Sequence, residues 1–119
     1  RSMRRELLLL REMIDAAERI RNVVGNLDAD SLRADELRLE SVLWNFTVLG
    51  EAAAQMPGDL KERHPDVGWA QPMRLRNRIV HGYWSVDVRL LHDVATHDLA
   101  ELVTQLSAVL EASESGSDI

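Results

Sequence analysis

Apolar residues recur every three or four positions over almost the whole chain, the spacing of helices that each bury one side. Leu7, Leu10, Ile14, Ala17, Ile20 and Val24 keep this spacing, so about Met3 to Val24 reads as a long first helix, ended at Gly25 and Asn26. Leu8 and Leu9 make its first turns apolar all round, which predicts a covering partner such as a second subunit. The polar segment Leu27 to Ala34 carries Asp28, Asp30 and Ser31, residues suited to a loop and a helix cap. From about Asp35 to Gln55, Leu37, Trp44, Val48 and Ala52 line one side of a second long helix. Leu39, Leu43, Phe46 and Leu49 widen that side, which places Trp44 in the core; Met56, Pro57 and Gly58 end the helix.

Gly50, inside this second helix, costs about 1 kcal/mol relative to alanine, which points to a close helix contact in the core. Asp59 to Trp69 holds a short helical turn at best, since Pro65 and Gly68 interrupt it. Pro72 suits the first turn of a third helix running to about His81, with Gly82 as its stop. Asp87 caps a fourth, in which Val88, Leu91, Ala95, Leu99, Leu102, Leu106 and Val109 keep helical spacing. No stretch alternates with period two long enough for a strand, so the expectation is an all-α, four-helix-type bundle with one short additional helical turn. The expected domain is 3–112, followed by a fraying acidic tail over 113–119.

Composition narrows the function classes. The 119 residues suffice for one core, and two full domains do not fit. There is no cysteine, so disulfides, thiolate metal sites and cysteine nucleophiles are excluded, which suits a cytoplasmic location. The longest apolar run, Leu7 to Leu10, is too short for a membrane span or a signal-peptide core, so neither insertion nor export is expected. A net charge of −6 opposes coating of long nucleic acid, and with no basic recognition helix it opposes DNA binding. A local anion site remains open, because Arg74, Arg76 and Arg78 crowd one short stretch.

That stretch is "RLRNRIVHGYW", residues 74–84. At about 100° per residue, Asn77 and His81 lie about 40° apart and address one ligand, while Arg76 sits about 140° from His81 and reaches that face only by bending inward. Arg78 points roughly opposite Arg76, and Gly82 lets the Tyr83 phenol return toward His81. A guanidinium matches phosphate oxygens, and an imidazole takes or gives a proton near neutral pH. These groups suffice for metal-independent RNA cleavage, in which a base takes the 2′-hydroxyl proton and arginine stabilises the charge that develops at phosphorus. One chain offers a single well-placed histidine, so a second copy across a twofold axis completes the acid–base pair. Taken as spacing alone, the same histidine also suits an interaction with the helix dipole or a carboxylate.

The other marked residues read as structural. Trp69 and Trp84 flank the third helix and suit packing, with base stacking as the alternative. His92 and His97 are five apart, which splits them across their helix, and with His64 they form no zinc-ligand pattern, so no metal is expected. No glycine-rich phosphate loop is present, and no cofactor is expected. Glu51 reads equally as the ion-pair partner of a cleft arginine or as a solvated edge residue.

Arg76-Asn77, three residues, His81, one residue and Tyr83 resemble the signature of the HEPN superfamily in its HepT-like form. "LGEAAAQMP" at 49–57, "HPDVGW" at 64–69 and "RLRNRIVHGYWSVD" at 74–87 follow that family's order, so the resemblance covers most of the chain. It implies a helical bundle that dimerises so that two Arg/His motifs share a cleft, and a metal-independent ribonuclease toxin of a type VII toxin–antitoxin pair. Carried over residue by residue, it makes Arg76 the phosphate-binding group, His81 the general acid or base and Asn77 their orienting partner. Apart from the resemblance, Arg74, Arg78 and Trp84 are candidate RNA or phosphate contacts, the arginines by broadening the positive potential around the cleft, with pairing to its own chain's acids as the alternative for Arg78. The resemblance makes Tyr83 the acceptor of AMP from a cognate minimal nucleotidyltransferase, and RNA and that enzyme the partners. The start "MRRELLLLREMIDAAERI" departs from the family, with arginine and glutamate where relatives often show aspartate and tyrosine. Other members of the superfamily are non-catalytic nucleotide- or protein-binding modules, which is the alternative function.

Overall fold

The computed structural model describes residues 3–116, the side chain of Trp84 excepted. Seven α-helices and one 3-10 turn make up these residues: α1 (Met3–Val24), α2 (Ala29–Ala34), α3 (Glu36–Gln55), α4 (Gly58–Arg63), α5 (Ala70–His81), the 3-10 turn (Tyr83–Ser85), α6 (Val88–His97) and α7 (Leu99–Glu114). Among them there is no strand, as the absence of a period-two pattern predicts.

The helices alternate in direction. Arg5 donates to Gln55 Oε1 and Arg38 donates to Val23 O, so α1 and α3 run antiparallel. α3 lies between α1 and α5, and α7 follows α1. The Arg11–Glu114 ion pair joins the first half of α1 to the end of α7. Gln71 donates to Asp98 Oδ2 at 3.1 Å and Gly68 N–H donates to Gln105 Oε1 at 3.2 Å, which fastens the start of α5 to α7. One continuous core results, built around Leu10, Met13, Ile20, Phe46, Leu49, Leu91, Leu99 and Leu106. Burial of each large apolar side chain contributes roughly 1.5–3 kcal/mol, which is what holds helices this short in place.

Local chemistry sets the boundaries of α3 and α6 near where the sequence places them, while α2 is a helix in a segment whose polarity suggests a loop and a cap. Asp28 caps α2 by accepting from Ser31 N–H at 2.8 Å, Asp35 caps α3 through Arg38 N–H, and Asp87 caps α6 through the N–H groups of Arg89 and Leu90. The Ser31 backbone hydrogen bond holds the Asp28 carboxyl below its ordinary value, with a second contribution from the Ser31 hydroxyl. α4 is the short helical turn expected before Trp69.

Three expectations are corrected. The last helix is not continuous: it bends at Asp98. Thr96 Oγ1 donates to the carbonyls of His92 and Asp93, and His97 Nδ1 lies 3.1 Å from the Asp93 carbonyl, so side chains compete for the acceptors of a straight helix there. The bend lets α6 lean across α1 and α2 while α7 follows α1. At the other end α7 continues past Ala112 to Glu114, with Ser113 buried and Glu114 paired to Arg11; residues 117–119 of the acidic tail lie outside the described residues. Trp44 is not core but 66% exposed, because the apolar side of α3 is wider than the surface that α1 and α5 cover. Of the apolar start of α1, Leu9 and Leu10 are buried and Leu8 faces out.

The α3–α5 contact has one narrow point. A Cβ on Gly50 would lie 2.3 Å from Arg76 Cβ and 2.4 Å from Pro72 O, too close for any substituent. In an unconstrained helix Gly50→Ala stabilises by about 1 kcal/mol, whereas overpacking a tight contact costs about 1–3 kcal/mol. The overpacking dominates here because one of the opposing atoms is backbone. Urea denaturation of Gly50→Ala is expected to give a lower midpoint than the wild type; a higher midpoint would show that the two helices separate freely.

Candidate active site

Pro72, Leu75 and Ile79 turn one side of α5 into the core, leaving Arg74, Arg76, Asn77, Arg78, Val80 and His81 to face outward or along its edges. Arg76 leaves the helix directly over Gly50, and its half-buried side chain lies along α3. Its Nη2 pairs with Glu51 Oε2 at 2.8 Å and its Nη1 donates to Asn77 Oδ1 at 2.8 Å. The arginine therefore bends toward Asn77, as the reach to that face requires, and Glu51 is its ion-pair partner. Arg76 Nε is buried without a hydrogen-bond partner among the described residues. An unsatisfied buried donor costs about 1–3 kcal/mol, so the resting guanidinium is held in a position that an anionic ligand can relieve.

His81, the last residue of α5, is exposed and makes no side-chain hydrogen bond among the described residues. It lines a cavity of about 290 Å³ with Arg78, Gly82, Ser85 and Asp87 over a floor of Leu75, Ile79, Val86, Leu90 and Leu91. Arg74 and Arg78 are exposed and unpaired among the described residues, so both leave positive charge around the end of α5. Arg76 and His81 stand on opposite flanks of α5 with Asn77 between them.

Tyr83 opens the 3-10 turn and does not line the His81 cavity. It is half exposed and borders a separate cavity of about 380 Å³ with Arg33, Glu36, Leu39, Glu40, Leu43, Val86 and Val88. The turn after Gly82 thus carries the phenol toward the start of α3. Trp69 is buried and donates its indole N–H to His64 O at 3.0 Å, so it packs. The side chain of Trp84 lies outside the described residues. His92 Nε2 lies 2.6 Å from Leu27 O and ties α6 to the loop after α1. No group of histidine, aspartate and glutamate suited to a metal ion occurs among the described residues.

Two features escape a reading of the sequence. Asp87 shows there only as a cap and Ser85 not at all, yet both border the His81 cavity; the signal is the Gly82 turn, which folds the next few residues back on the helix end. The exposed apolar residues Leu37 and Trp44 stand seven apart on α3, with Glu51 a further seven on, so all three share one helix face. Val80, also exposed, follows Arg76 by four residues on α5.

The model of the ribonuclease HepT-like family matches residues 13–109. The chain belongs to that family. Among curated relatives, the HepT-like chain is 28% identical over 93 residues to "Probable ribonuclease HepT" of Thermococcus cleftensis, covering 78% of this chain and 84% of that protein. It is 20% identical over 105 residues to "Putative RNase MJ0127" of Methanocaldococcus jannaschii, covering 86% and 87%. It is 21% identical over 102 residues to "Putative RNase TTE0752" of Caldanaerobacter subterraneus subsp. tengcongensis, covering 86% and 91%. No solved structure matches the HepT-like chain. No helix among its described residues is long and apolar enough to cross a membrane.

The Arg76–Glu51 pair is 31% and 47% exposed on its two sides, so solvent screens it, and such pairs contribute about 0–1 kcal/mol. Glu51→Gln is expected to change the unfolding free energy by less than about 1 kcal/mol in chemical denaturation. A loss of several kcal/mol would make the pair a structural element instead of a resting place for the arginine.

Proposed function

We propose that this HepT-like chain is the toxin of a type VII toxin–antitoxin pair, a metal-independent endoribonuclease that acts in the cytoplasm as a homodimer. The observation that carries the reading is the guanidinium of Arg76 held beside Asn77 with an unengaged, exposed His81 one helical turn further on. Family membership and relatives named as ribonucleases support the same activity.

In the proposed mechanism a phosphodiester lies over Asn77, between the flanks held by Arg76 and His81. His81 of one protomer removes the 2′-hydroxyl proton, the 2′-oxygen bonds to phosphorus, and the bond from phosphorus to the 5′-oxygen breaks. The partner subunit's His81 gives a proton to the leaving oxygen, so the products are a cyclic phosphate and a 5′-hydroxyl. Arg76 moves from Glu51 to the phosphoryl oxygens as their charge grows, where a planar donor pair stabilises the transition state most. Arg74 and Arg78 draw the RNA backbone toward the cleft, and Trp84 is a further RNA contact.

Dimerisation is supported by where the uncovered apolar surface lies. Leu37 and Trp44 share the α3 face of Glu51, and Val80 shares the α5 edge of Arg76, so burying them against a second copy brings the two Arg76 groups toward each other. Tyr83 accepts AMP from the cognate nucleotidyltransferase: its phenol oxygen bonds to the α-phosphorus of ATP and pyrophosphate leaves. Arg33, bordering the same cavity as Tyr83, is a cation for the transferred phosphate.

Arg76→Ala and His81→Ala are each expected to lower RNA cleavage by about 10²-fold or more, with dimerisation unchanged and wild-type cleavage unaffected by chelator. Wild-type protein that leaves every RNA intact, with and without divalent metal, would instead favour a non-catalytic nucleotide- or protein-binding module. Incubation with the nucleotidyltransferase and ATP is expected to add one AMP by intact mass, and none in Tyr83→Phe. A gain that survives this substitution would remove Tyr83 from the scheme.

A further inference from the structure

The cavity beside His81 has a composition that the cleavage chemistry does not require. Its floor is aliphatic, from Leu75, Ile79, Val86, Leu90 and Leu91, while Arg78, His81, Ser85 and Asp87 stand around its rim. At about 290 Å³ it lies just below the range of drug-sized ligand sites, about 300–1,000 Å³, a size for one ring system. An aliphatic floor bordered by a guanidinium suits a flat aromatic ring, as single-stranded RNA presents when a base leaves its stack.

The rim distinguishes one base from the others. Asp87 Oδ1 is occupied, accepting from the N–H groups of Arg89 and Leu90, whereas Oδ2 accepts no hydrogen bond among the described residues. Ser85 Oγ spends its proton on Gly82 O at 3.0 Å, so what it offers the cavity is a lone pair. Two acceptors thus border the cavity, together with one unpaired cationic donor, Arg78, and the His81 ring, which donates or accepts according to its tautomer and faces the reacting phosphodiester in the proposed mechanism. The Watson–Crick edge of guanine carries two adjacent N–H donors followed by a carbonyl acceptor. Adenine and cytosine each set one amino group beside a ring acceptor, and uracil sets one N–H between two carbonyls; either pattern turns an acceptor of the ligand toward an acceptor of the rim.

We infer that this cavity is a guanine subsite, in which Asp87 and Ser85 accept from the base and Arg78 donates to its carbonyl. His81 borders both this subsite and the reacting phosphodiester, so the subsite sets which nucleotide adjoins the cleaved bond. In that last respect the inference rests on the ribonuclease reading; binding of the base does not.

Asp87→Asn is the informative variant. Asparagine caps a helix as well as aspartate, so α6 keeps its start, while the free acceptor becomes a donor. Guanosine, adenosine, cytidine and uridine monophosphates, each titrated by calorimetry into wild type, Asp87→Asn and Ser85→Ala, measure the subsite without any cleavage. Guanosine monophosphate is expected to bind the wild type about tenfold or more tightly than the other three, the scale of one good base-edge pair, and to lose that preference in Asp87→Asn. Equal binding of all four, no binding of any, or a guanine preference that survives Asp87→Asn would overturn the assignment. RNA cleavage is followed in parallel on substrates that differ only at the nucleotide beside the cleaved bond. Guanine binding without cleavage contradicts the ribonuclease reading and leaves the subsite standing; cleavage indifferent to base and to Asp87→Asn does the reverse.

Discussion

The absence of a side chain at Gly50 is the constraint on which the rest of this molecule depends. It lets the backbone of α5 at Pro72 and the first carbons of Arg76 lie against α3 at a separation that a methyl group would abolish. That contact fixes the register of the two helices. It is also why Glu51, the next residue of α3, meets the guanidinium and not some other part of α5. The cost of a glycine inside a helix, about 1 kcal/mol, is small beside the core contacts of Phe46 and Leu49 on the same helix.

Arg76 rests in a position that is ordered but not strongly held. A screened pair with Glu51, a hydrogen bond to Asn77 and an unpartnered buried Nε together favour release to a ligand that offers several oxygens. His81 stands across the helix, borders a cavity that Arg76 does not line, and makes no side-chain hydrogen bond among the described residues. A single protomer therefore presents the two groups apart, and the proposed dimer resolves that separation by supplying each from both sides of a twofold axis. In this scheme the exposed Leu37, Trp44 and Val80 supply the apolar area that association buries.

Much of this arrangement is legible in the spacing of residues. The four long apolar patterns, the cap at Asp87, the aspartate-rich capping segment at Asp28 and the close contact at Gly50 follow from helical period and from the chemistry of aspartate and glycine. Trp44 does not, since periodicity identifies an apolar face but not how much of a broad one the neighbouring helices cover. The bend at Asp98 is equally hidden, because the apolar spacing runs through it and the carbonyls taken by Thr96 and His97 are local matters of rotamer. Ser85 and Asp87 come to the His81 cavity through the fold of a short turn, which no pattern of polarity encodes. Pairing of Glu51 with a cleft arginine and solvation at the helix edge suit the sequence equally, and only the α3–α5 register decides for the pair with Arg76.

The central claim, that two protomers share one reaction centre, is tested most directly by diluting wild-type protein with an inactive partner. Wild type is combined with an excess of the Arg76→Ala/His81→Ala double variant and allowed to exchange subunits, verified by native mass, before RNA cleavage is measured. The mixed dimer keeps a single imidazole and lacks the second that the reaction uses, so cleavage per wild-type chain is predicted to fall toward that of the variant. Cleavage per wild-type chain that stays unchanged would place a complete reaction centre within each protomer and contradict the shared one.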